Sequence, residues 1–209
     1  MKNNAFAASY LDRTRGALEA MDLDDVGRCC EALLGCARRD GTVFIAGNGG
    51  SAALADHLAC DLCKGVLGRS YPVRSGLRPR VHSLTANTAL LTAWANDVDY
   101  SVALAEGLRS LARSGDLLLV ISASGRSKNV IAALEAANEL GLEKLGWLGF
   151  DGAPARGLCD SSVLVPVFDY GIVESAHATL GHLVTEWLRE QLLEEPAVES
   201  RCLPRAAIG

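Results

Sequence analysis

Two spacings of apolar residues organise the chain. Short continuous apolar runs predict buried strands, and apolar residues that recur every three or four positions predict helices. The predicted strands span 42–46, 81–84, 116–122, 145–150 and 162–167. The predicted helices span 4–20, 23–38, 51–67, 88–95, 101–113, 128–140 and 173–193.

The strands alternate with the helices and are apolar on both faces. Such strands are typical of a parallel sheet that is covered by helices on both sides. The sequence therefore predicts an α/β fold, a three-layer α/β/α arrangement around a central parallel sheet, with extra helices at the N-terminus. The Gly/Pro/Arg-rich stretch 68–79 is predicted to be a loop.

Two glycine- and serine-rich turns each follow a predicted strand and open a helix. They are Gly47–Ser51 (GNGGS) and Ser122–Ser127 (SASGRS). Open parallel sheets bind ligands beyond the carboxyl ends of their strands. Glycines let the backbone approach a ligand, and the free N–H groups of a helix start favour an anion.

The serines of these turns could therefore surround one phosphate: Ser51, Ser122, Ser124 and Ser127. The alternative is that the turns are only tight, with serines as helix N-caps. Neither turn matches the Walker A or the GxGxxG nucleotide motif.

Composition and charge narrow the class of protein. The 209 residues are 49% hydrophobic but only 5% aromatic, and the net charge is −5. The chain has no basic block with interleaved aromatics, so its sequence does not indicate nucleic-acid binding. No apolar run reaches the roughly 18 residues of a membrane span. The first residues lack the pattern of a signal peptide, so we expect a cytoplasmic protein without nucleic-acid or membrane partners.

The cysteine pattern indicates ordinary buried or semi-buried thiols. The seven cysteines are an odd number, and no export signal favours a disulfide framework. Cys60 and Cys63 form a single CxxC with no second pair to complete a zinc site. A redox role for this pair is the alternative.

The quoted turns belong to longer segments that resemble a known family. FIAGNGGSAALADHLACDL, SLTANTALLTAWANDVDY, ISASGRSKNVIAALEAANELG and VESAHATLGHLVTEWL are similar to the consecutive motifs of the sugar isomerase (SIS) domain, in its phosphoheptose isomerase branch. The resemblance runs over roughly 5–193. It implies a flavodoxin-like sheet, a homotetramer and a phosphosugar ligand held by the serines.

With the resemblance, the chain divides into three regions. We expect N-terminal helices at 1–40 that contribute to oligomerisation, an SIS phosphosugar-binding domain at 41–195 and a C-terminal tail at 196–209.

Histidines and carboxylates on two predicted helices are the candidate chemical groups. His57 and Asp61 are four residues apart and share a helix face. Glu174, His177 and His182 lie on the C-terminal helix. Such a set could be a zinc site or an acid/base pair, and the residues alone leave both open. The remaining histidine, His82, is predicted to have a packing role.

The resemblance assigns roles to four of these positions. In the family a helix after GNGGS carries a His and, four residues on, a catalytic Glu; the matching residues are His57 and Asp61. A later Gln and a His that acts as partner acid/base match Glu174 and His182. Several members bind zinc through these four positions.

Two of the four positions depart from the family pattern. Asp61 is one methylene shorter than Glu, and Glu174 adds a charge where an amide is usual. Two carboxylates and two imidazoles would bind a divalent cation more tightly than a set with a neutral amide. We therefore expect Zn²⁺ or another divalent metal as cofactor.

Glu174 and His182 raise a geometric difficulty. Eight residues of regular helix separate them, about 12 Å, so both cannot easily contact one ion. Either Glu174 lies in a loop before the helix, with which Gly171 is compatible, or different subunits contribute the groups.

The resemblance also implies the substrate contacts. They are Asn48, Gly49, Gly50, Ser51, Asn87, Asn96, Asp97, Ser122, Ala123, Ser124, Ser127 and Glu174. Ala123, Asn87 and Arg126 differ from the common family residues, which points to a related substrate such as another heptose or an octose phosphate. Arg126 is either a second phosphate contact or a solvated loop arginine.

Three functions are consistent with the sequence. The favoured one is an aldose–ketose isomerase of a long-chain sugar phosphate, in which Asp61 and His182 move protons between C1 and C2. The second is a non-catalytic phosphosugar sensor or protein-binding regulator, which need not keep His57, Asp61 and His182 together. The third is another SIS chemistry on an amino sugar or an ether.

Overall fold

The computed structural model describes residues 3–67 and 77–194. The strands are β1 (Thr42–Gly47), β2 (Arg80–Ser83), β3 (Leu117–Ser122), β4 (Glu143–Gly149) and β5 (Ser161–Val165). The helices are α1 (Asn3–Glu19), α2 (Leu23–Arg38), α3 (Gly50–Lys64), α4 (Thr88–Asp97), α5 (Ala103–Leu111), α6 (Lys128–Glu139) and α7 (Tyr170–Glu194). Short 3₁₀ turns cover Gly65–Leu67 and Ala155–Leu158.

The strands of the described residues form one parallel sheet in the order β2-β1-β3-β4-β5. The order reverses between β1 and β3, as in doubly wound flavodoxin-like folds. The predicted three-layer α/β/α fold is confirmed. Each predicted strand and helix has a counterpart within a few residues.

Alternation along the strands divides the core into two layers. Val43 and Ile45 of β1 pack with α2, α3 and α7, whereas Phe44 and Ala46 pack with α5 and α6. Successive strand side chains point to opposite faces, so a continuous apolar strand supplies both layers. The prediction of strands that are buried on both faces is confirmed.

The two N-terminal helices pack differently. α2 buries Cys29, Leu33 and Leu34 in the larger of these two layers, against the sheet. Only Ala17 of α1 is buried, in a small cluster with Ile172 and Val173 of α7. α1 thus adds to the outer surface of α7, and α2 is a full member of the helical layer.

The largest boundary differences have local causes. β4 begins at Glu143 rather than 145 because the ladder to β3 uses backbone groups, and Lys144 is accommodated by an ion pair of 3.0 Å with Asp160. α7 begins at Tyr170 rather than 173. Most of the predicted 68–79 loop and the predicted tail lie outside the described residues.

The described cysteines are free thiols, as predicted, and Cys202 lies outside the described residues. Burial raises the pKa of Cys29 to about 12, which keeps this thiol protonated. Cys60 and Cys63 are exposed, so the prediction of buried or semi-buried thiols is wrong for this pair. Among the described helices, none combines the length and apolar character that a membrane crossing requires.

Candidate functional site

The register at the centre of the sheet brings the two predicted turns together. Gly47, the last residue of β1, is paired with Ile121, next to the end of β3. Beyond these strand ends lies a pocket of about 110 Å³. It is lined by Asn48, Ser51, Ile121, Ser122, Ala123, Ser124, Ser127, Tyr170 and Glu174. All four serines of the predicted phosphate site therefore line one cavity.

Two of the serine hydroxyls accept hydrogen bonds within their own turn, and their O–H groups remain as donors for a ligand. Ser122 Oγ accepts the N–H of Gly125 at 3.1 Å, and Ser124 Oγ accepts that of Arg126 at 3.3 Å. Ser127 precedes α6, but within the described part of the chain its side chain makes no capping bond. Ser51 lies inside α3. The alternative of tight turns with serine N-caps therefore stays open: Ser122 and Ser124 brace their own turn, whereas Ser127 stands at the N-cap position of α6 without a capping bond among the described residues.

Glycines let the turns follow this course. Gly49, before α3, has φ +54°, and Gly125 has φ +66°. A Cβ on Gly125 would lie 2.4 Å from the carbonyl oxygen of Gly152, so the loops after β3 and β4 touch through backbone. Positive φ and this close approach together require glycine at position 125.

Glu174 faces the serine pocket from α7. A Cβ on Gly50 would lie 2.5 Å from Glu174 Oε2, so the carboxylate occupies the space beside the GNGGS turn. Because α7 begins at Tyr170, Glu174 and Gly171 are both helical. The proposed position of Glu174 in a loop before the helix is therefore wrong, and the helix itself begins three residues before the predicted start at 173.

His57, Asp61 and His182 form a second group farther along α3 and α7. Asp61 Oδ2 lies 3.2 Å from His57 Nε2 and 3.5 Å from His182 Nδ1. The two imidazole rings meet edge to face, with centroids 5.2 Å apart. One ligand atom from each residue lies within 4.8 Å of the others, a suitable spacing for a metal ion. Among the described residues, Glu174 is outside this group.

Several other predicted site residues lie outside the serine pocket. Asn87 caps α4 by accepting the N–H of Leu90 at 3.1 Å, and Asn96 donates to Asp97 at 2.8 Å. Arg126 forms an ion pair of 2.6 Å with Asp151 and does not line the pocket. Their role in substrate binding stays a prediction.

Comparison with known proteins gives a consistent assignment. Residues 8–146 match the sequence pattern of the SIS domain. The chain is 32% identical to the phosphoheptose isomerase of Bradyrhizobium sp. ORS 278 over 92% of its own length and 96% of the relative's. It is 39% identical to that of Desulfovibrio desulfuricans ATCC 27774, over 79% and 76% of the two chains.

The fold agrees with the solved phosphoheptose isomerase of Neisseria gonorrhoeae. The TM-score is 0.80 at 29% identity, covering 91% of this chain and 100% of the other. The chain belongs to the phosphoheptose isomerase branch of the SIS family. The resemblance inferred from the quoted motifs is confirmed.

The structure shows where the two residues that depart from the phosphoheptose isomerase pattern lie. The shorter carboxylate of Asp61 still contacts both imidazoles, because His57 approaches from the same helix and His182 from the neighbouring one. The carboxylate of Glu174 adds negative charge to the serine pocket rather than to the His57–Asp61–His182 group.

His177 is the candidate that the structure separates most clearly from this chemistry. The sequence places it on the same predicted helix as Glu174 and His182, but its ring is fully buried in the structure. The backbone of Leu148 faces it, yet within the described residues no hydrogen bond of standard geometry reaches either ring nitrogen. Burial lowers the pKa of His177 from 6.5 to about 4, so the ring is neutral at pH 7.

This buried histidine predicts acid sensitivity. The unfolded chain takes up a proton on His177 below about pH 6.5, while the folded chain resists protonation until about pH 4. Stability is therefore lost as the pH falls through this window, by up to about 3 kcal/mol. We expect His177→Leu to show a shallower decline in the free energy of unfolding between pH 7 and 5, measured by urea denaturation.

The comparison uses the change with pH, so a uniform destabilisation of the variant does not affect it. His82→Leu is the control, because His82 is only partly buried, against Phe44. Equal slopes for wild type and His177→Leu would contradict the assignment.

Proposed function

We propose that the chain is an aldose–ketose isomerase that converts sedoheptulose 7-phosphate into D-glycero-D-manno-heptose 7-phosphate or acts on a closely related heptose or octose phosphate. The observation that supports this most directly is that one pair of helices, α3 and α7, carries both a serine pocket and a histidine–aspartate–histidine group. The relatives named phosphoheptose isomerase support the same activity.

The serine pocket offers hydrogen-bond donors to a phosphate, and these must outweigh the negative charge of the Glu174 carboxylate that also lines it. α3 and α6 both begin at its edge, so their dipoles favour an anion, although the Ser51 and Ala52 N–H groups of α3 already donate to the carbonyl oxygens of Asn48 and Gly49. The hydroxyls of Ser122, Ser124 and Ser127 add donors. The phosphate takes no part in the chemistry; its binding positions the reacting carbons.

The spacing along α7 favours a long-chain substrate. Glu174 faces the serine pocket and His182 belongs to the second group, eight residues later, about 12 Å along a helix. A sugar phosphate held by the serines must extend along α7, with the reach of the side chains covering part of this distance, for its carbonyl end to meet Asp61. A long carbon chain suits that separation better than a triose.

The chemistry requires a base at C1 and a proton source for the oxygens. Asp61 removes the C1 proton of the ketose, an enediol forms, and the proton returns to C2 to give the aldose. Both imidazoles face Asp61 Oδ2, which leaves Oδ1 to accept the proton. His182, 3.5 Å from the carboxylate, moves the proton between the two sugar oxygens.

We expect this reaction to be visible by proton NMR in D₂O. Sedoheptulose 7-phosphate should give new aldose anomeric signals, with deuterium entering at C1 or C2. Asp61→Asn should lower kcat by about 10²- to 10⁴-fold, the usual contribution of a general base, and His182→Ala should have an effect of similar order. Asp160→Asn, at the far end of the sheet, is the matched control and should stay within twofold.

A wild-type protein that binds the ketose phosphate but gives neither aldose nor exchange would contradict the isomerase. That result would instead support the phosphosugar sensor.

The second group also fits Zn²⁺. Two imidazole nitrogens and one carboxylate oxygen are a common zinc donor set in enzymes, with a further position left for water or substrate. We propose that His57, Asp61 and His182 bind the ion, with Glu174 set apart in the serine pocket. When bound, Zn²⁺ would polarise the carbonyl and hydroxyl oxygens of the sugar.

Metal binding can be measured apart from activity. Titration calorimetry of the chelator-treated protein with Zn²⁺ should reveal one site per chain, and Asp61→Asn should weaken it at least tenfold. His82→Gln should leave the affinity unchanged, since His82 lies on β2 and packs against Phe44 of β1. Full activity after chelation, or equal affinity in Asp61→Asn, would contradict the zinc site.

Exposed apolar side chains support assembly into a homotetramer. Phe6 and Leu11 of α1 are 55% and 69% exposed, and Phe168 is 75% exposed. Every residue of the apolar helix α4 keeps part of its surface exposed. Burial of such surface between chains favours association.

The assembly can be tested by sedimentation equilibrium. We expect four times the 22.0 kDa mass of one chain, and a smaller mass for Leu11→Asp because a charge would have to be buried. Arg15→Asp is the control for a change of charge on the exposed surface of the same helix. Arg15 forms ion pairs with Asp12 and Glu19. A wild-type monomer at micromolar concentration would contradict the tetramer.

A further inference from the structure

The turn between α4 and α5 reaches the serine pocket through one side chain. Tyr100 lies in this turn, which is held by a hydrogen bond of 2.7 Å from the Ser101 N–H to Asp99 Oδ1. The phenol hydroxyl of Tyr100 donates to Asn48 Oδ1 at 2.8 Å. Asn48 belongs to the GNGGS turn and lines the pocket.

Asn48 has a second partner on the other wall of the pocket. Asn129, in the first turn of α6 and almost fully buried, donates from Nδ2 to Asn48 Oδ1 at 2.8 Å. Asn48 Nδ2 in turn donates to Asn129 Oδ1 at 2.9 Å. The Val130 N–H also donates to Asn129 Oδ1, at 3.0 Å, which fixes the orientation of the Asn129 amide.

Counting hydrogen-bond capacity shows what Asn48 can offer a ligand. Its Oδ1 accepts two hydrogen bonds, from Tyr100 and Asn129, which occupy both lone pairs. Its Nδ2 carries two N–H groups, and Asn129 uses one. The capacity that remains is one N–H. In this orientation Asn48 can act on a ligand only as a donor, which suits phosphate and sugar oxygens.

We propose that Tyr100 is a positioning residue of the site: its hydroxyl, together with Asn129, holds the Asn48 amide with its free N–H available to the bound sugar phosphate. The identity of the ligand rests on the proposed function; the positioning rests on the hydrogen bonds. Tyr100 acts only through Asn48, because within residues 3–67 and 77–194 its hydroxyl makes no other hydrogen bond.

A double-mutant cycle tests whether Tyr100 acts through Asn48. The variants are Tyr100→Phe, Asn48→Ala and the double variant, and kcat and KM are measured with sedoheptulose 7-phosphate. Tyr100→Phe should lower kcat/KM by about fivefold, the effect of one ordinary hydrogen bond. In the Asn48→Ala background the same substitution should change kcat/KM by less than twofold, because the amide it orients is gone.

Tyr10→Phe is the matched control, because Tyr10 packs on α7 near Gly171 and makes no contact with Asn48. It should leave kcat/KM within twofold of wild type. If circular dichroism shows that Asn48→Ala does not fold, Asn48→Ser takes its place in the cycle.

The same cycle on the dissociation constant of sedoheptulose 7-phosphate, by titration calorimetry, separates this inference from the proposed function. Binding without turnover by the wild type would contradict the isomerase, while a coupled pattern in the dissociation constants would still support the positioning role. An equal loss from Tyr100→Phe in both backgrounds would overturn the inference. The inference would also be overturned if Tyr100→Phe left kcat/KM and the dissociation constant unchanged. It would be overturned as well if the wild type neither bound nor converted the sugar phosphate.

Discussion

The candidate site depends on the pairing of β1 with β3 at the centre of the sheet. Because the strand order reverses there, the helices that follow these strands pack on opposite faces: α3 on one side and α6 on the other. Their N-termini diverge from one crevice, and the GNGGS and SASGRS turns become its walls. Shifting this pairing by one residue would move the serines and exchange the two core layers, so burial also fixes the geometry of the pocket.

A second constraint extends the site along the helices. α3 and α7 run side by side in the same direction: Gly50 meets Glu174 at one end, and Gly65 lies near Thr185 at the other. Asp61 and His182 lie between these contacts and face each other. The distance from the serine pocket to these residues is thus set by helix rise, and buried residues such as Leu58, Leu62, Leu180 and Val184 hold the two helices together.

Local sequence patterns predicted the structural features that depend on residues close together in the chain. Apolar periodicity indicated the strands and helices, and the position of each glycine–serine turn after a strand indicated the pocket. His57 and Asp61 were predicted to share a helix face because they are four residues apart, and they contact each other. Features that join distant segments were less accessible. The position of Glu174 against Gly50 depends on where α7 begins. Asp169 caps that helix by accepting the Ile172 N–H at 3.2 Å, a signal that apolar periodicity alone does not use.

Tyr100 illustrates the same limit. Its contact with Asn48 joins residues that lie 52 positions apart, and the α4–α5 turn carries no pattern that predicts it. Asn87, Asn96 and Asp97 were assigned to the substrate through the resemblance, yet their side chains cap or pair locally on α4. A family motif assigns residues to a region of the fold, whereas the direction of each side chain follows from packing that the motif does not specify.

The His57–Asp61–His182 group is better explained by chemistry than by stability. The side chains of His57 and His182 are 54% and 63% exposed, and ion pairs at such positions contribute between about 0 and 1 kcal/mol. Neither imidazole is held by burial, in contrast to His177, whose ring is enclosed in the core. Folding therefore gains little from bringing three titratable groups to one point on α3 and α7. Under the proposed function, their convergence places a base, a proton carrier and a metal donor set on the same pair of helices as the serine pocket.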